Sequence, residues 1–178
     1  EGDTQVEKKT IVPQPQASFV IMDQYTGEVK AIVGGRGEKT ESLSLNRATE
    51  SARQPGSCFK IVSTYAPALD IGAMGLHTSI KDEPYRYKNG KEVNNWDFSY
   101  KGWVTVRKAI EQSMNVVAVK ALTEIGEQTG FDYLKSFGFS TVVDQEVING
   151  QTFSDIQQAT ALGGITHGVY NLEMTAAY

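Results

Sequence analysis

The sequence predicts an α+β chain, with a short β-hairpin ahead of a much longer helical region. Two apolar, strand-like stretches at 17–22 and 28–33 flank the turn-forming run Asp23-Gln24-Tyr25-Thr26-Gly27. From residue 55 onward, apolar residues recur at helical spacing between glycines, prolines and capping residues. Residues 1–16, polar and carrying Pro13 and Pro15, read as a linker. Residues 17–178 read as one unit, with strands within 17–33 and a helical lobe over 55–178.

Composition bounds the function. The chain has 178 residues, enough for a sizeable core, and its 40% hydrophobic and 21% charged content is that of a globular protein. The net charge is -4 with no basic block, which argues against nucleic acid as a partner. The longest clean apolar runs, at 19–22 and 116–119, are too short to cross a membrane, and residues 1–16 show no signal-peptide pattern. Cys58 is the only cysteine, so no internal disulfide forms. His77 and His167 lie far apart with no Cys or carboxylate cluster, so neither a metal site nor a cofactor is expected.

The elements follow in order. Phe19-Val20-Ile21-Met22 supplies the first strand; the second runs to Val33 and stops at Gly34-Gly35. Residues 36–45 form a polar loop. Pro55 and Gly56 make a turn, and a helix starts at Ser57 with Phe59, Val62, Tyr65, Ala66 and Leu69 as its apolar stripe. Pro67 predicts a kink or an early end, because it lacks the N–H that would bond to Ser63. Residues 70–104 are turn-rich, with Tyr85, Tyr87, Trp96, Phe98, Tyr100 and Trp103 either packing the loop down or walling a groove. Thr105 caps a helix over 106–112, and Ser113-Met114-Asn115 interrupts it. A second helix carries Val116, Val119, Ala121, Leu122 and Ile125 and stops at Gly126. A short helix spans 131–137 and closes at Gly138. Ser154 with Gln157 suggests a capping box for a helix through about Leu162, and Asn171 caps a last helix.

The chemistry concentrates in Ser57-Cys58-Phe59-Lys60. Residues at i and i+3 share a helix face, which brings the Ser57 hydroxyl and the Lys60 amine within reach. A serine needs a base to act as a nucleophile, and a lysine serves as one only when neutral, through burial or a neighbouring cation. A helix N-terminus adds N–H groups suited to a developing oxyanion. The tetrapeptide also reads as a helix N-cap serine beside a solvated lysine. Ser113 and Asn115 also read as caps of the helix that begins near Val116. Cys58 reads as a packed helix residue.

These residues resemble the transpeptidase domain of class A penicillin-binding proteins. Ser57-Cys58-Phe59-Lys60 is similar to the family's Ser-x-x-Lys motif, and Ser113-Met114-Asn115, 56 positions downstream, to its Ser-x-Asn motif. Ser44-Leu45-Asn46 has the same pattern in the wrong order. The flanks add specificity: Asn46-Arg47-Ala48 leading into Arg53-Gln54-Pro55-Gly56, Gly102-Trp103-Val104-Thr105-Val106-Arg107-Lys108-Ala109 leading into Ser113, and Ala161-Leu162-Gly163-Gly164 followed by Gly168-Val169. The resemblance covers roughly 17–178. Three departures stand out: Ile61 where the family usually has proline, Cys58 at a position more often Ser, Thr or Ala, and no Lys-Thr-Gly or Lys-Ser-Gly anywhere.

The resemblance implies a serine β-lactamase/penicillin-binding transpeptidase-like fold, here mostly the helical lobe plus the first hairpin of the antiparallel sheet, with 17–178 an incomplete transpeptidase domain. It implies a D,D-transpeptidase of peptidoglycan stem peptides, inhibited covalently by β-lactams. Ser57 is then the nucleophile, Lys60 the base, Ser113 a proton relay and Asn115 the holder of substrate amide and lysine, with Trp96 a substrate-binding candidate. The missing third motif implies a partner, the C-terminal half of the same domain, as a second chain. Its workplace would be the outer face of the bacterial plasma membrane, anchored by a segment not among these residues. Alternatives are a β-lactam sensor or hydrolase of the same fold, or a non-catalytic remnant.

Overall fold

The computed structural model describes residues 14–39 and 41–178. Most of the proposed linker, residues 1–13, therefore lies outside the described residues, as does Thr40 of the polar loop. Residues 14–16 are exposed and irregular.

Strands β1 (Phe19–Met22) and β2 (Val29–Val33) form the expected antiparallel hairpin. Its turn is built by Asp23, whose carboxylate accepts the backbone N–H groups of Tyr25 and Thr26, and by Gly27 at φ 72°. The hairpin is poorly covered. Phe19, Ile21, Val29, Ile32 and Val33 are all exposed. A short helix α1 (Arg47–Glu50) follows, capped by Asn46 Oδ1 on the Ala48 N–H at 3.1 Å.

The segment that carries Ser57 is helical over 56–70 but takes three pitches in turn. It opens as a 3-10 turn at Gly56–Cys58, widens to a π turn at Ile61–Tyr65, and ends as α2 (Ala66–Asp70). Pro67 thus does not end the run, which continues to Asp70. The π turn shifts the hydrogen bonds, so the Ala66 N–H reaches Ile61 O, and Pro67 sits in the first turn of α2, where no N–H is required. The Ser63 carbonyl lies against Gly130, where a Cβ would stand 2.6 Å from it.

Residues 70–104 contain more structure than their turn-rich sequence suggests. Strand β3 (Ser79–Asp82) pairs with β6 (Gly102–Thr105), and β4 (Tyr85–Arg86) with β5 (Glu92–Val93), both antiparallel. In β3 the inward residues are Ile80 and Asp82. One of the two is a carboxylate, which hides the apolar alternation of a strand. Helix α3 (Val106–Glu111) starts at Thr105, whose hydroxyl accepts the Lys108 N–H. Helix α4 (Asn115–Ile125) is the centre of the lobe. Val116, Val117, Ala118, Val119, Ala121 and Leu122 are all fully buried, because different core clusters wrap its sides.

Helix α5 (Glu127–Ser136) begins directly after Gly126 and so starts earlier than 131. A hairpin of β7 (Glu146–Ile148) and β8 (Gln151–Phe153) follows, turning at Asn149-Gly150. The capping-box helix after Ser154 does not form. Ser154 Oγ accepts the Ile156 N–H instead, and a 3-10 stretch occupies Gln158–Leu162. Helix α6 (Asn171–Ala177) closes the described chain. Asn171 does not cap it; its side chain donates to Ser18 Oγ at 3.1 Å and ties α6 to the hairpin. Phe59 packs edge-on to Phe139 at 5.1 Å, within a cluster holding Val62, Phe131, Leu134 and Ile165. The stripe's outer member, Leu69, is exposed.

Candidate active site

The segment leading to Ser57 is clamped before the helix begins. Arg53 exchanges two backbone hydrogen bonds with Val169, at 3.0 and 2.8 Å. The Gln54 side chain donates to Ile165 O at 2.6 Å and accepts the Ile165 N–H at 3.2 Å. The glycines of 163–168 permit this approach. A Cβ at Gly163 would lie 2.5 Å from Gly56 N and O, and one at Gly168 2.5 Å from Arg53 C. Both also have positive φ. The glycine-rich flank therefore has a mechanical role, holding the turn that presents Ser57.

Ser57 lies in the 3-10 turn and Lys60 follows three residues later, just before the π turn. Ser57 is exposed, whereas Lys60 is only 3% exposed. The Lys60 amine donates to Ser113 O at 2.5 Å, Ser113 Oγ at 3.0 Å and Asn115 Oδ1 at 2.6 Å. Burial lowers its pKa from 10.5 to about 8. Three acceptors fill an ammonium's three N–H groups, and no Ser57–Lys60 hydrogen bond forms in this state. The structure thus brings together Lys60, Ser113 and Asn115, with Ser57 one turn away.

Ser113 stands at φ 50°, in the sparsely populated left-handed region, at the break between α3 and α4. Such strain collects where side chains must be aimed. Neither Ser113 nor Asn115 caps α4 with its side chain. Asn115 instead spans two partners, its Oδ1 facing Lys60 and its Nδ2 donating to Asn94 O at 2.8 Å. A cleft of about 380 Å³ opens beside Ser113, lined by Asn95, Trp96, Asp97, Lys101, Gln112 and Met114 among others.

Trp96 is 78% exposed on the rim of that cleft. Phe98 and Trp103 are also largely exposed, so these rings do not pack the loop down. Tyr85 and Tyr87 do, against the cluster of Val93, Val116 and Leu122. Cys58 departs from expectation, being exposed rather than packed. It lines a separate hollow of about 450 Å³ with Ser18, Arg47 and Met174 on the hairpin side. Sequence reasoning missed Asp82 and Asn95, the buried polar groups behind Asn115. A lone Asp and an Asn 13 positions apart carry no recognisable spacing.

With the geometry in place, the comparisons decide the family. The family model described as "Penicillin binding protein transpeptidase domain" matches residues 17–178. The chain belongs to this family. Among similar proteins, penicillin-binding protein 1A of Clostridium tetani is 37% identical over 172 residues, covering 93% of this chain and 21% of that protein. Penicillin-binding protein 1A/1B of Bacillus subtilis is 32% identical over 165 residues, covering 92% and 17%. The crystal structure of penicillin-binding protein 1A from Haemophilus influenzae superposes with a TM-score of 0.72 at 28% identity, over 89% of this chain and 22% of that one. PonA1 of Mycobacterium tuberculosis in complex with penicillin V, at 20% identity and a TM-score of 0.69, covers 88% of this chain and 41% of that one and shares the fold. The chain thus spans about a fifth of the curated relatives it matches. The mixed helical and antiparallel architecture is that of penicillin-binding transpeptidases, as the sequence suggests. No helix among the described residues is long and apolar enough to cross a membrane.

Proposed function

We propose that this chain carries the acylation centre of a serine D,D-transpeptidase that cross-links peptidoglycan stem peptides. One observation carries this assignment: a buried lysine, its pKa lowered, is held by a strained Ser-x-Asn break one helical turn from an exposed serine. Ser57 Oγ attacks the carbonyl between the two terminal D-alanines as its proton passes to neutral Lys60. The C–N bond breaks, Ser113 relays a proton to the departing D-alanine amine, and the acyl group stays on Ser57 as an ester. An amine from a neighbouring stem attacks that ester. Its proton returns to Ser57 Oγ, the C–O bond breaks, and an amide cross-link results. In a β-lactam the broken C–N bond leaves the amine tethered, so the ester persists. Penicillin V on the Mycobacterium tuberculosis relative is in keeping with this chemistry. Asn115 Nδ2 donates one N–H to Asn94 O, and its second N–H is the one available to hold a substrate amide carbonyl while Oδ1 faces Lys60.

Part of the machinery lies in further polypeptide. The Ser57 N–H supplies one oxyanion donor. A second, with the Lys-Thr-Gly group for the substrate carboxylate, belongs to strands that would cover the exposed hairpin of Phe19, Ile21, Ile32 and Val33. Loss of one oxyanion donor costs about 10²–10³ in rate, so these 178 residues alone are nearly inactive. The C-terminal half of the domain is the partner, as a second chain or as continuing sequence. Its substrate places the domain outside the bacterial plasma membrane, held there by further polypeptide.

A fluorescent penicillin tests this. The expected result is labelling of the complete domain, loss of labelling in Ser57→Ala without unfolding, and little labelling of residues 1–178 until the C-terminal half is added. A labelled Ser57→Ala variant overturns the nucleophile. Normal labelling of the isolated chain overturns the split. The adduct's lifetime separates the alternatives, since rapid release marks a hydrolase.

A further inference from the structure

Behind Asn115 lies a buried polar relay that the mechanism above does not use. Asn95 is 4% exposed and Asp82 1% exposed. Asn95 Oδ1 accepts the N–H of Asn115 at 2.9 Å and that of Val116 at 3.3 Å, the first two residues of α4. These are among the donors a helix start leaves without partners, and no local side chain caps them. Asn95 Nδ2 donates to both Asp82 oxygens, at 2.9 and 3.0 Å, and to Ser99 O at 2.9 Å. Asp82 also accepts the Lys101 N–H at 2.8 Å. Among the described residues it has no lysine, arginine or histidine within salt-bridge distance.

Resting on the transpeptidase reading, we infer that Asn95 and Asp82 are positioning residues that set the Ser113–Asn115 break against Lys60. A carboxylate accepts and does not donate. Asp82 therefore forces the Asn95 NH₂ toward itself and its carbonyl oxygen toward α4. A flipped amide would set NH₂ against two N–H groups and its oxygen against the carboxylate. The remote cap fixes the first turn of α4, and with it the Asn115 oxygen 2.6 Å from the Lys60 amine. Misplacing a reacting group by about 1 Å costs on the order of a hundredfold in rate.

The test is a reciprocal swap in the complete domain: Asn95→Asp, Asp82→Asn, and both together. Asn95→Asp sets two carboxylates face to face. Asp82→Asn leaves the amide orientation undetermined. The double variant restores the pattern with the roles exchanged: the amide introduced at position 82 donates to the carboxylate introduced at position 95, which accepts the N–H groups of α4. The readouts are the acylation rate at saturating penicillin, the noncovalent penicillin affinity, and hydrogen exchange at the Asn115 and Val116 amides. The expected result is an acylation rate lowered about a hundredfold in Asn95→Asp, with faster exchange at both amides, and substantial recovery of both in the double variant. Single variants that acylate and exchange like the parent overturn the inference. So does a double variant no better than the worse single one. A single variant that fails to fold is judged by the double variant against the parent. Exchange is measured without substrate, so loss of the transpeptidase reading (no labelling of the parent, or labelling of Ser57→Ala) is distinguishable from loss of the relay.

Discussion

If Lys60 is the base, its protonation state sets the pH dependence of acylation and also leaves a mark on stability. Burial holds its pKa at about 8, against 10.5 for an ordinary lysine. The acceptors around the amine favour the charged form, and desolvation outweighs them. At pH 7 roughly one Lys60 in ten is neutral, about 300-fold more than for an unshifted lysine. Penicillin acylation of the complete domain is therefore expected to rise about tenfold per pH unit from 6 to 7 and to level off above 8. The stability effect has a definite sign. Below pH 8 both folded and unfolded states hold the proton. Between about 8 and 10.5 the unfolded chain still holds it while the folded state has released it, so stability rises with pH. The 2.5-unit shift corresponds to about 3 kcal/mol across that window. Chemical denaturation of the parent and Lys60→Met, at pH 7.5 and 10.5, isolates this term from other titrating groups. The parent should gain about 3 kcal/mol relative to the variant. An acylation rate flat from pH 6 to 8, or a midpoint near 10.5, would refute the base assignment. A stability difference that shrinks as pH rises would refute the burial argument.

Other predictions concern single positions. Gly130→Ala drives a Cβ to 2.5 Å from Leu122 Cδ1 and 2.6 Å from the Ser63 carbonyl; a loss of about 2 kcal/mol should appear in urea melts. Asp155, fully buried, accepts the N–H groups of Val143 and Thr166 and the Thr166 hydroxyl. Asp155→Ala should cost about 3 kcal/mol or more and leave any labelled fraction on Ser57. Trp96→Ala should leave the melting transition in place while weakening noncovalent stem-peptide affinity by about 1 kcal/mol; unchanged affinity by calorimetry would remove Trp96 from the substrate groove.

The sequence was most legible where one local rule sufficed. The Thr105 cap, the Gly126 stop and the first hairpin follow from propensity and turn chemistry, and the structure has all three. It was least legible where a polar group takes a core position or a distant partner decides. Strand β3 hides because Asp82 points inward. The capping box at Ser154 yields to a hydrogen bond two residues on and to Asp155, which draws the chain toward Val143 and Thr166. Pro67 is tolerated because the π turn moves the need for its N–H. Paired motifs in the sequence single out Ser57, Lys60, Ser113 and Asn115, and the structure joins Lys60 to Ser113 and Asn115 rather than to Ser57.

The lobe and the hairpin differ in how they are held, and that difference bears on catalysis. The Lys60 amine, the α4 start and the Arg53–Gly56 turn are fixed by hydrogen bonds within the lobe. The hairpin meets the lobe partly through the Asn171 to Ser18 bond and the Gly34 carbonyl, which accepts the Arg47 N–H at 2.9 Å. Most of its own side chains stay exposed, with Val20 and Met22 half-buried. A lone two-stranded hairpin is marginal in water, so packing against the rest of the protein must stabilise it. Lys60 is therefore set in its pocket by the lobe, whereas on the proposed reading the second oxyanion donor would come with strands joining β1 or β2. On that reading, assembly of the sheet would add electrostatic stabilisation to groups already in place, so that adding strands should change the acylation rate far more than the midpoint of its pH profile.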